Sequence, residues 1–210
     1  MQREDSVSKC AFNTFFTSDW HCFHANVIAF DERPFDSLWR MHQVLINNYN
    51  AAVRDTDICY FLGDFAMGTV DQIKSIVDQL NGTKVIVLGN HDRGAAAMVR
   101  CGFDVAVNMA SIVVAGKVVT MTHCPLRGVY REDVTNMRGS EVGNNWHGEH
   151  KHFQYSVPDF GQYHLHGHTH KTPEERVLNR QWDVGVRANG YKPVSSSHIE
   201  SWIARRDEAK

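Results

Sequence analysis

The sequence lacks long hydrophobic runs, paired cysteines and an excess of one charge. No stretch approaches the roughly 18 consecutive apolar residues of a membrane-spanning helix, and no apolar run follows the polar residues 1–10 to form a signal peptide. The five cysteines are scattered and form no C-x-x-C pair, which argues against a disulfide framework and against a thiolate zinc site. These absences predict a cytoplasmic protein without a membrane segment.

The charge balance gives no indication of a nucleic-acid or membrane partner. The chain has 22 Lys and Arg against 24 Asp and Glu, a formal net charge of −2, and neither half carries a sustained basic run. Such a balance offers no general attraction to nucleic acid or to acidic membranes. The length of 210 residues and the hydrophobic fraction of 42% predict one globular domain over residues 1–210, whose core needs no disulfide or metal to be stable.

Histidine, in contrast, is abundant, with 13 residues in the chain. The imidazole group titrates near neutral pH and is a common metal ligand. The positions of these histidines relative to the predicted strands are therefore the first indication of function.

The first half of the chain alternates strands and helices. Apolar runs predict strands over residues 13–17, 58–62 and 84–88. Between them, Asp36 is interpreted as the N-cap of one helix, and Thr69 with Gln72 matches a capping box before a second helix. This alternation predicts a parallel sheet with a functional site at the strand ends.

The second half predicts a second sheet with antiparallel pairs. Its strands are expected in short β-branched segments over residues 105–107, 112–114 and 118–121, and further strands are predicted over residues 163–166, 176–178 and 182–186. A turn is predicted at 115–117, and Ser197 with Glu200 matches a capping box for a last helix.

Polar side chains of the kind that bind metals follow the predicted strands. They are Asp19, His21, Asp64, Asn90, His91, Asp92, His123, His168 and His170. Residues two apart on an extended segment point the same way, so Asp19 with His21, and His168 with His170, each present two ligands to one cavity. Oxygen and imidazole donors without thiolate suit manganese, iron, zinc or nickel rather than a structural zinc cage.

These residues resemble the calcineurin-like metallophosphoesterases. That family has the ordered motifs D-x-H, G-D, G-N-H-D, a single His and G-H-x-H, which here occupy residues 19–21, 63–64, 89–92, 123 and 167–170. The local sequence at residues 26–35 and 183–186 resembles the small bacterial and phage-type phosphoesterases of that family. The resemblance implies a four-layer α/β sandwich, with two mixed sheets face to face and helices outside.

The resemblance also implies a dinuclear metal centre. One ion would be held by Asp19, His21 and His170. The other would be held by Asn90, His123 and His168, with Asp64 as the bridge. Two divalent transition-metal ions are expected, with manganese first and iron, nickel or zinc as alternatives. A hydroxide bridging the ions would attack the phosphoryl group in line, because paired cations stabilise both the attacking and the leaving oxygen.

The family pattern assigns His91 and Asp92 to catalysis rather than to metal binding. His91 is expected to protonate the leaving alkoxide or to stabilise charge on the phosphoryl oxygens, and Asp92 to orient the His91 ring. Three further residues near the predicted ligands are interpreted as substrate contacts: Arg93 and Arg127 as phosphate clamps, and His24 as a contact to substrate or to a ligand. A surface ion pair is an equally good interpretation of the two arginines.

Residues 125–160 show no clear periodicity, which predicts short helices, a lid over the site or a solvated insertion. Within this segment, His147, His150 and His152 are interpreted as solvent-facing. Cys22 and Cys124 each follow a predicted ligand and are expected to point away from the metals. Two features depart from the pattern of the small members of the family, namely the length of this segment and Phe23 in place of a glycine. For this reason the resemblance does not identify the substrate.

The predicted function is hydrolysis of a small or nucleotide-like phosphodiester or phosphomonoester by a metal-dependent enzyme. One alternative is a phosphoprotein phosphatase of the same superfamily, although the chain offers no separate docking domain. Another is a non-catalytic interaction scaffold, which is disfavoured because His91 and every expected ligand are present. Histidine-rich metal storage would place histidines in tandem tracts rather than at strand ends beside carboxylates.

Overall fold

The computed structural model describes residues 12–127 and 150–208, apart from the side chains of residues 150, 151 and 153. The strands in these ranges are β1 (Thr14–Thr17), β2 (Ile58–Phe61), β3 (Thr83–Val87), β4 (Val105–Val107), β5 (Ala110–Val114), β6 (Lys117–Met121), β7 (Tyr163–His166), β8 (Val177–Leu178), β9 (Gln181–Asp183) and β10 (Val194–Ser195). The α-helices are α1 (Val27–Phe30), α2 (Leu38–Ala52), α3 (Val70–Val77), α4 (Ala95–Arg100) and α5 (Ser196–Glu208), and a 3-10 helix covers His150–Tyr155.

The first sheet has the strand order β10-β1-β2-β3-β4. Strands β1 to β4 are parallel, as the alternation of strands and helices predicts, and β10 pairs with β1 in the antiparallel direction. Thr17 is in register with Phe61, and Phe61 with Ile86. The carboxyl ends of β1, β2 and β3 therefore meet at one edge of the sheet, and the polar residues that follow them lie together.

One face of this sheet packs against helices α2 and α3. The apolar stripe of α2, with Met41, Leu45 and Tyr49, belongs to the same core cluster as Ile73 of α3 and Phe61 of β2. All five side chains are at most 1% exposed, and burying a large apolar side chain contributes roughly 1.5–3 kcal/mol. This packing fixes the strands whose ends carry the predicted ligands.

The second sheet has the order β5-β6-β7-β9-β8. β6, β7 and β9 are parallel neighbours, whereas β5 with β6 and β8 with β9 are antiparallel hairpins. Ala115 and Gly116 connect β5 to β6 with positive φ angles of 50° and 72°, as a two-residue type I′ turn requires. The antiparallel pairs and the turn predicted for this half of the chain are confirmed. The placement of residues 105–107 in the second sheet is wrong, because β4 lies at the edge of the first sheet and pairs with β3 in the parallel direction.

The two sheets pack face to face. Phe16 of β1 and Val87 of β3 share a core cluster with Met121 of β6 and Leu165 of β7, and Trp202 of α5 packs into the same cluster. At the site end, a bridge between Ser18 and Gly185 links the segments that follow β1 and β9. The predicted α/β sandwich of two mixed sheets is confirmed.

The helix ends differ in detail from the predictions. The capping box of Thr69 and Gln72 is present at α3, but the N-cap of α2 is Ser37 rather than Asp36, because the Ser37 hydroxyl accepts the N–H of Arg40. α5 begins at Ser196, so Ser197 lies inside the helix and does not cap it. None of the helices in the described ranges combines the length and the apolar character needed to cross a membrane.

Candidate metal centre

The predicted ligands lie together at the carboxyl ends of the strands, where five of the seven line one cleft. The cleft has a volume of about 280 Å³ and is lined by His21, His24, Phe30, Asp31, Asp64, Asn90, His91, His168 and His170. His21 and His170 are 149 residues apart in sequence, yet their rings meet there. The first sheet supplies the ligands before residue 100, and the second sheet supplies those after it.

The D-x-H turn after β1 directs adjacent side chains to opposite sides. Asp19 and His21 are each 2% exposed and lie beside His170. Between them, the indole of Trp20 packs edge-on against Phe61, and its Nε1 donates to Oγ1 of Thr17 at 2.9 Å. The buried indole therefore anchors the turn in the core while Asp19 and His21 serve the site.

Asp19, His21 and His170 form the first ligand group. The Nε2 atoms of His21 and His170 are 3.0 Å apart, and Oδ1 of Asp19 lies 3.9 Å from the former and 3.6 Å from the latter. Both imidazole nitrogens and the carboxylate thus point at one position. These are the three residues that the family resemblance assigns to one ion.

Asp64, Asn90 and His123 form the second ligand group. Nε2 of His123 lies 3.0 Å from Oδ1 of Asn90 and 3.3 Å from Oδ2 of Asp64. The same Asp64 oxygen is 3.7 Å from Nε2 of His21, so Asp64 lies between the groups, where a bridging ligand would have to be. His168 completes the second group, with a ring nitrogen within 4.8 Å of one in His123.

Five of the predicted ligands have a left-handed backbone conformation. Their φ angles are 58° for Asp19, 50° for His21, 52° for Asp64, 66° for His168 and 47° for His170, and ten non-glycine residues of the described ranges have positive φ. Such conformations cost on the order of 1–3 kcal/mol each and persist only where the surroundings enforce them. Five of these ten positions therefore lie in the turns that direct ligands into the cleft.

Two motif glycines allow the backbone to approach the ligand carboxylates. A Cβ atom at Gly89 would lie 2.3 Å from Oδ1 of Asp64, and one at Gly167 would lie 2.4 Å from Oδ2 of Asp19. In the structure, Oδ1 of Asp64 accepts the N–H of His91 at 2.9 Å. The glycines of G-N-H-D and G-H-x-H are thus required by close approach.

Hydrogen bonds at Nδ1 determine which nitrogen of two histidines faces the site. Nδ1 of His170 lies 2.7 Å from Oδ1 of Asp31, and Nδ1 of His123 lies 2.7 Å from the carbonyl oxygen of Leu62. Because both partners are acceptors, each Nδ1 donates, and Nε2 faces the ligand group. Metal-binding histidines in proteins are oriented in this way.

Asp31 and Arg33 support the centre and were not predicted from the sequence. Arg33 is 4% exposed, and its Nη2 donates to Oδ2 of Asp31 at 2.8 Å and to the carbonyl of Asp19 at 2.9 Å. Nη1 donates to the carbonyl of Trp20 at 3.0 Å. The guanidinium thus joins the D-x-H turn to the carboxylate that orients His170. The only sequence signal was the family resemblance of residues 26–35.

The carboxylates stabilise positive charge at this site. Burial opposes the protonated form of His170, but Asp19 and Asp31 outweigh burial and raise the pKa of His170 to about 10. Burial of His123 is likewise outweighed by Asp64, and the pKa of His123 rises to about 9. For His21, burial dominates and lowers the pKa to about 4.

The donor set fits divalent transition metals. Asp19 and Asp64 are carboxylates with 2% exposure each, and the guanidinium of Arg33 is engaged by Asp31 and by backbone carbonyls. Buried charges are stable only when they are paired or coordinate a metal. Carboxylate, amide and imidazole donors are the ones that borderline divalent ions prefer, so these residues would hold such ions.

His91 lies at the mouth of the cleft, with a side chain that is 41% exposed and an Nε2 atom 3.9 Å from Oδ2 of Asp64. The expectation that Asp92 orients its ring is wrong. The two oxygens of Asp92 instead accept the backbone N–H groups of Asp64, Phe65 and Gly89 at 2.9, 2.9 and 2.8 Å. Asp92 is therefore a positioning residue for the turn that carries Asp64, and burial raises its pKa to about 6.

Of the three predicted substrate contacts, only His24 lines the cleft. Burial lowers the pKa of His24, which favours the neutral ring. Arg93 donates to the carbonyl of Gly68 at 2.9 Å and lines a neighbouring cavity of about 240 Å³. Arg127 forms a backbone bridge with Pro158. The structure thus places neither arginine on the wall of the cleft.

The structure describes only the two ends of the segment 125–160, and residues 128–149 lie outside the described ranges. In the part of the segment from residue 150 onward, the ring of His152 lies 5.6 Å from that of His168 and is partly buried. The interpretation of His152 as solvent-facing is therefore wrong. His147 and the side chain of His150 lie outside the described part of the chain.

Cys124 also differs from its predicted orientation. Its Sγ and ring nitrogens of His123 and His168 all lie within 4.8 Å of one another, so this thiol does not point away from the second ligand group. The reason is that β6 ends at Met121, and strand alternation no longer applies at residue 124. Cys22, as expected, is fully buried in the core against the helices.

No protein-family model matches the chain. The gene 66 protein of Mycobacterium phage D29 is 30% identical over 187 residues, which cover 84% of this chain and 88% of the phage protein. The chain belongs to the family of the mycobacteriophage gene 66 proteins. The gene 66 protein of phage L5 is 28% identical over 185 residues, again with 88% of its length covered.

An uncharacterized protein of Methanocaldococcus jannaschii is 41% identical over 81 residues, and the chain spans 46% of its length. A crystal structure of a protein of unknown function from Aquifex aeolicus aligns with 91% of this chain over 100% of its own length, with a TM-score of 0.65 and 23% identity. This likeness shows a shared fold. The structure of the Escherichia coli phosphoesterase YfcE aligns with 84% of this chain over 80% of its own length, with a TM-score of 0.42 and 13% identity.

Proposed function

We propose that the protein is a metal-dependent phosphoesterase that hydrolyses a small or nucleotide-like phosphodiester or phosphomonoester. The observation that carries this proposal is the meeting of two ligand groups at Asp64, whose Oδ2 lies 3.7 Å from Nε2 of His21 and 3.3 Å from Nε2 of His123. The groups contain the seven residues that the resemblance to the calcineurin-like metallophosphoesterases implies as metal ligands. Manganese is the ion we expect first, with iron, nickel or zinc as alternatives.

Two bound cations would neutralise charge on a phosphoryl group and activate water for in-line attack. The residues of this chain hold that centre from two sides. Asp19, His21 and His170 form one half, and Asn90, His123 and His168 form the other, while Asp64 is shared. The hydrogen bonds from Nδ1 of His170 and of His123 orient both rings before substrate binds, and such preorganisation reduces the reorganisation that catalysis requires.

His91 has the position of a proton donor to the leaving group. Its side chain is 41% exposed at the mouth of the cleft, while its Nε2 remains 3.9 Å from the shared carboxylate. A histidine that reaches both the solvent side and the centre can donate a proton to the departing oxygen or stabilise charge on the phosphoryl group. This arrangement favours an enzyme over a binding scaffold, which would not need an imidazole there.

The test is a metal-reconstitution assay. Protein stripped of metal is reloaded with Mn²⁺, Ni²⁺, Zn²⁺, Fe²⁺ or Mg²⁺ and assayed with bis-p-nitrophenyl phosphate and p-nitrophenyl phosphate. We expect turnover with at least one transition ion, loss of turnover in Asp64→Asn, and normal turnover in Asp78→Asn, an exposed carboxylate that pairs with Lys74. Inactivity with every ion, or full activity of Asp64→Asn, would overturn the proposal.

A further inference from the structure

The cleft contains one apolar feature that neither metal binding nor the proposed proton transfer explains, the exposed ring of Phe30. The side chain of Phe30 is 56% exposed and lies on the wall of a cleft otherwise formed by imidazole, carboxylate and amide groups. Among the exposed large apolar side chains of the described ranges, Phe30 alone lines this cleft. The other exposed phenylalanines, Phe12 and Phe160, do not line it.

Phe30 continues into a wall of rings, which we call the aromatic wall and which consists of Phe30, His24 and His91. The centroids of Phe30 and His24 are 5.5 Å apart, and those of His24 and His91 are 6.2 Å apart with the planes inclined by 27°. Phe30 also lies 5.9 Å from the ring of His170. The wall therefore begins beside a predicted ligand and extends to the mouth of the cleft.

Backbone hydrogen bonds and the neighbouring residues fix the main chain at Phe30. The N–H of Phe30 donates to the carbonyl of Asn26 at 3.1 Å, and the N–H of Asp31 donates to that of Val27 at 3.1 Å. Val27 is fully buried, and Asp31 is fixed by Arg33 and by His170. The main chain at Phe30 is thus positioned by its neighbour Asp31, the carboxylate that orients a ligand.

We propose that Phe30 is a specificity residue that stacks on a planar ring carried by the substrate, so that the preferred substrates are phosphate esters of nucleosides or of other ring-bearing alcohols. The inference rests on the proposed phosphoesterase function and names the substrate class for that site. A ring bound to phosphorus through a short ester linkage would reach the aromatic wall while its phosphate lies at the ligand groups.

The physical reason is that an exposed phenyl ring at a polar cleft gains free energy when another planar ring covers it. Every nucleobase has a π-face, and stacking on a protein aromatic ring strengthens binding on the order of 10- to 100-fold for each base. A sugar or alkyl phosphate would leave Phe30 in contact with water. We therefore expect the aromatic wall to distinguish substrates by whether they carry a planar ring, since the phosphate is common to all of them.

The test compares ligands that differ only in the ring. Binding of adenosine 5′-monophosphate and ribose 5-phosphate, and of phenyl phosphate and methyl phosphate, is measured as initial-rate inhibition of bis-p-nitrophenyl phosphate turnover by the Mn²⁺-loaded protein and by its Phe30→Ala and Phe12→Ala variants. Phe12 is a matched control, because its side chain is 58% exposed and does not line the cleft.

We expect the ring-bearing ligand of at least one pair to bind about tenfold or more tightly than its partner, with the preference lost in Phe30→Ala and kept in Phe12→Ala. A preference found only in the nucleotide pair would identify nucleoside esters as the preferred substrates. A preference found in both pairs would identify esters of any alcohol with a planar ring. Equal binding within both pairs, or a preference that survives Phe30→Ala, would overturn the inference while phosphoester turnover is retained. No turnover at all would instead defeat the proposed function itself.

Discussion

Nδ1 of His170 lies 2.7 Å from Oδ1 of Asp31, and this contact joins the last motif of the chain to a residue outside every motif. Oδ1 of Asp31 accepts a hydrogen bond from the Nδ1–H of the ring, and Oδ2 accepts one from Nη2 of Arg33 at 2.8 Å. The carboxylate therefore fixes the tautomer and the direction of a residue that the proposed centre uses as a ligand.

Asp31→Asn should weaken metal binding by about 10- to 100-fold, because loss of such a supporting carboxylate reduces the basicity and the orientation of the histidine. The affinity for Mn²⁺ or Zn²⁺ can be measured by competition with a chelator. Glu32→Gln is the matched control, since this neighbour is exposed. Equal affinities for the wild type and Asp31→Asn would show that the contact does not support a metal.

Gly89→Ala should destabilise the protein by about 1–3 kcal/mol, the usual cost of forcing a side chain into a packed site. The added Cβ would lie 2.3 Å from Oδ1 of Asp64, so either the backbone or the shared carboxylate has to move. Gly94→Ala provides the comparison, because nothing lies within 4 Å of a Cβ there. Denaturant unfolding of both variants measures the difference, and similar stabilities would contradict the close-approach argument.

His91→Ala should lower kcat by about 10²- to 10⁴-fold, the usual contribution of a positioned acid or base, while the metal content stays that of the wild type. The reason is that His91 lies at the mouth, with Nε2 3.9 Å from Asp64, and outside both ligand groups. His198→Ala, at an exposed histidine, should leave kcat unchanged. A fully active His91→Ala enzyme would remove His91 from the mechanism.

The carboxylate of Asp57, which lies away from the cleft, should make the stability of the protein depend on pH in the acid range. Its buried carboxylate accepts the backbone N–H groups of Asn13 at 2.8 Å and Arg54 at 2.9 Å, and hydrogen bonds from the Arg54 side chain hold the pKa of Asp57 well below its usual range. Because the folded state binds this proton less readily than the unfolded state, the stabilisation is complete above about pH 4 and is lost as the pH falls further.

The free energy of unfolding of Asp57→Asn should therefore lie below that of the wild type at pH 7, and the gap should narrow below about pH 4. Urea unfolding across this pH range measures the gap. Asp55→Asn, at an exposed neighbouring carboxylate, should follow the wild type throughout. A gap that is independent of pH would show that ionised Asp57 does not contribute.

The sequence predicts the parts of the site that depend on local pattern. Buried apolar runs predict the strands, and the polar residues directly after them predict Asp64 and Asn90 at one edge, because parallel strands end together. The left-handed turns at Asp19 and His21 could not be predicted, because aspartate and histidine, although enriched at positive φ, adopt it in only a small minority of positions.

Contacts between distant segments explain what the sequence could not predict. Asp31 and His170 are 139 residues apart, and no spacing rule connects them. Asp92 follows His91 in the chain, but the fold turns its side chain toward the backbone of Asp64. Adjacency to His91 in the sequence does not indicate this direction. Helices α1 and α4 have only four and six residues, too few for a helical period to be recognised.

The metal content of the purified protein tests the dinuclear centre most directly. After reconstitution with Mn²⁺ and removal of free ion, elemental analysis should find two ions per wild-type chain and two in Asp78→Asn. Asp64→Asn should retain fewer than two, because the carboxylate between the ligand groups, 3.3 Å from His123 and 3.7 Å from His21, has lost its charge. A wild-type chain without stoichiometric metal, or an Asp64→Asn chain that still holds two ions, would contradict a centre shared through Asp64.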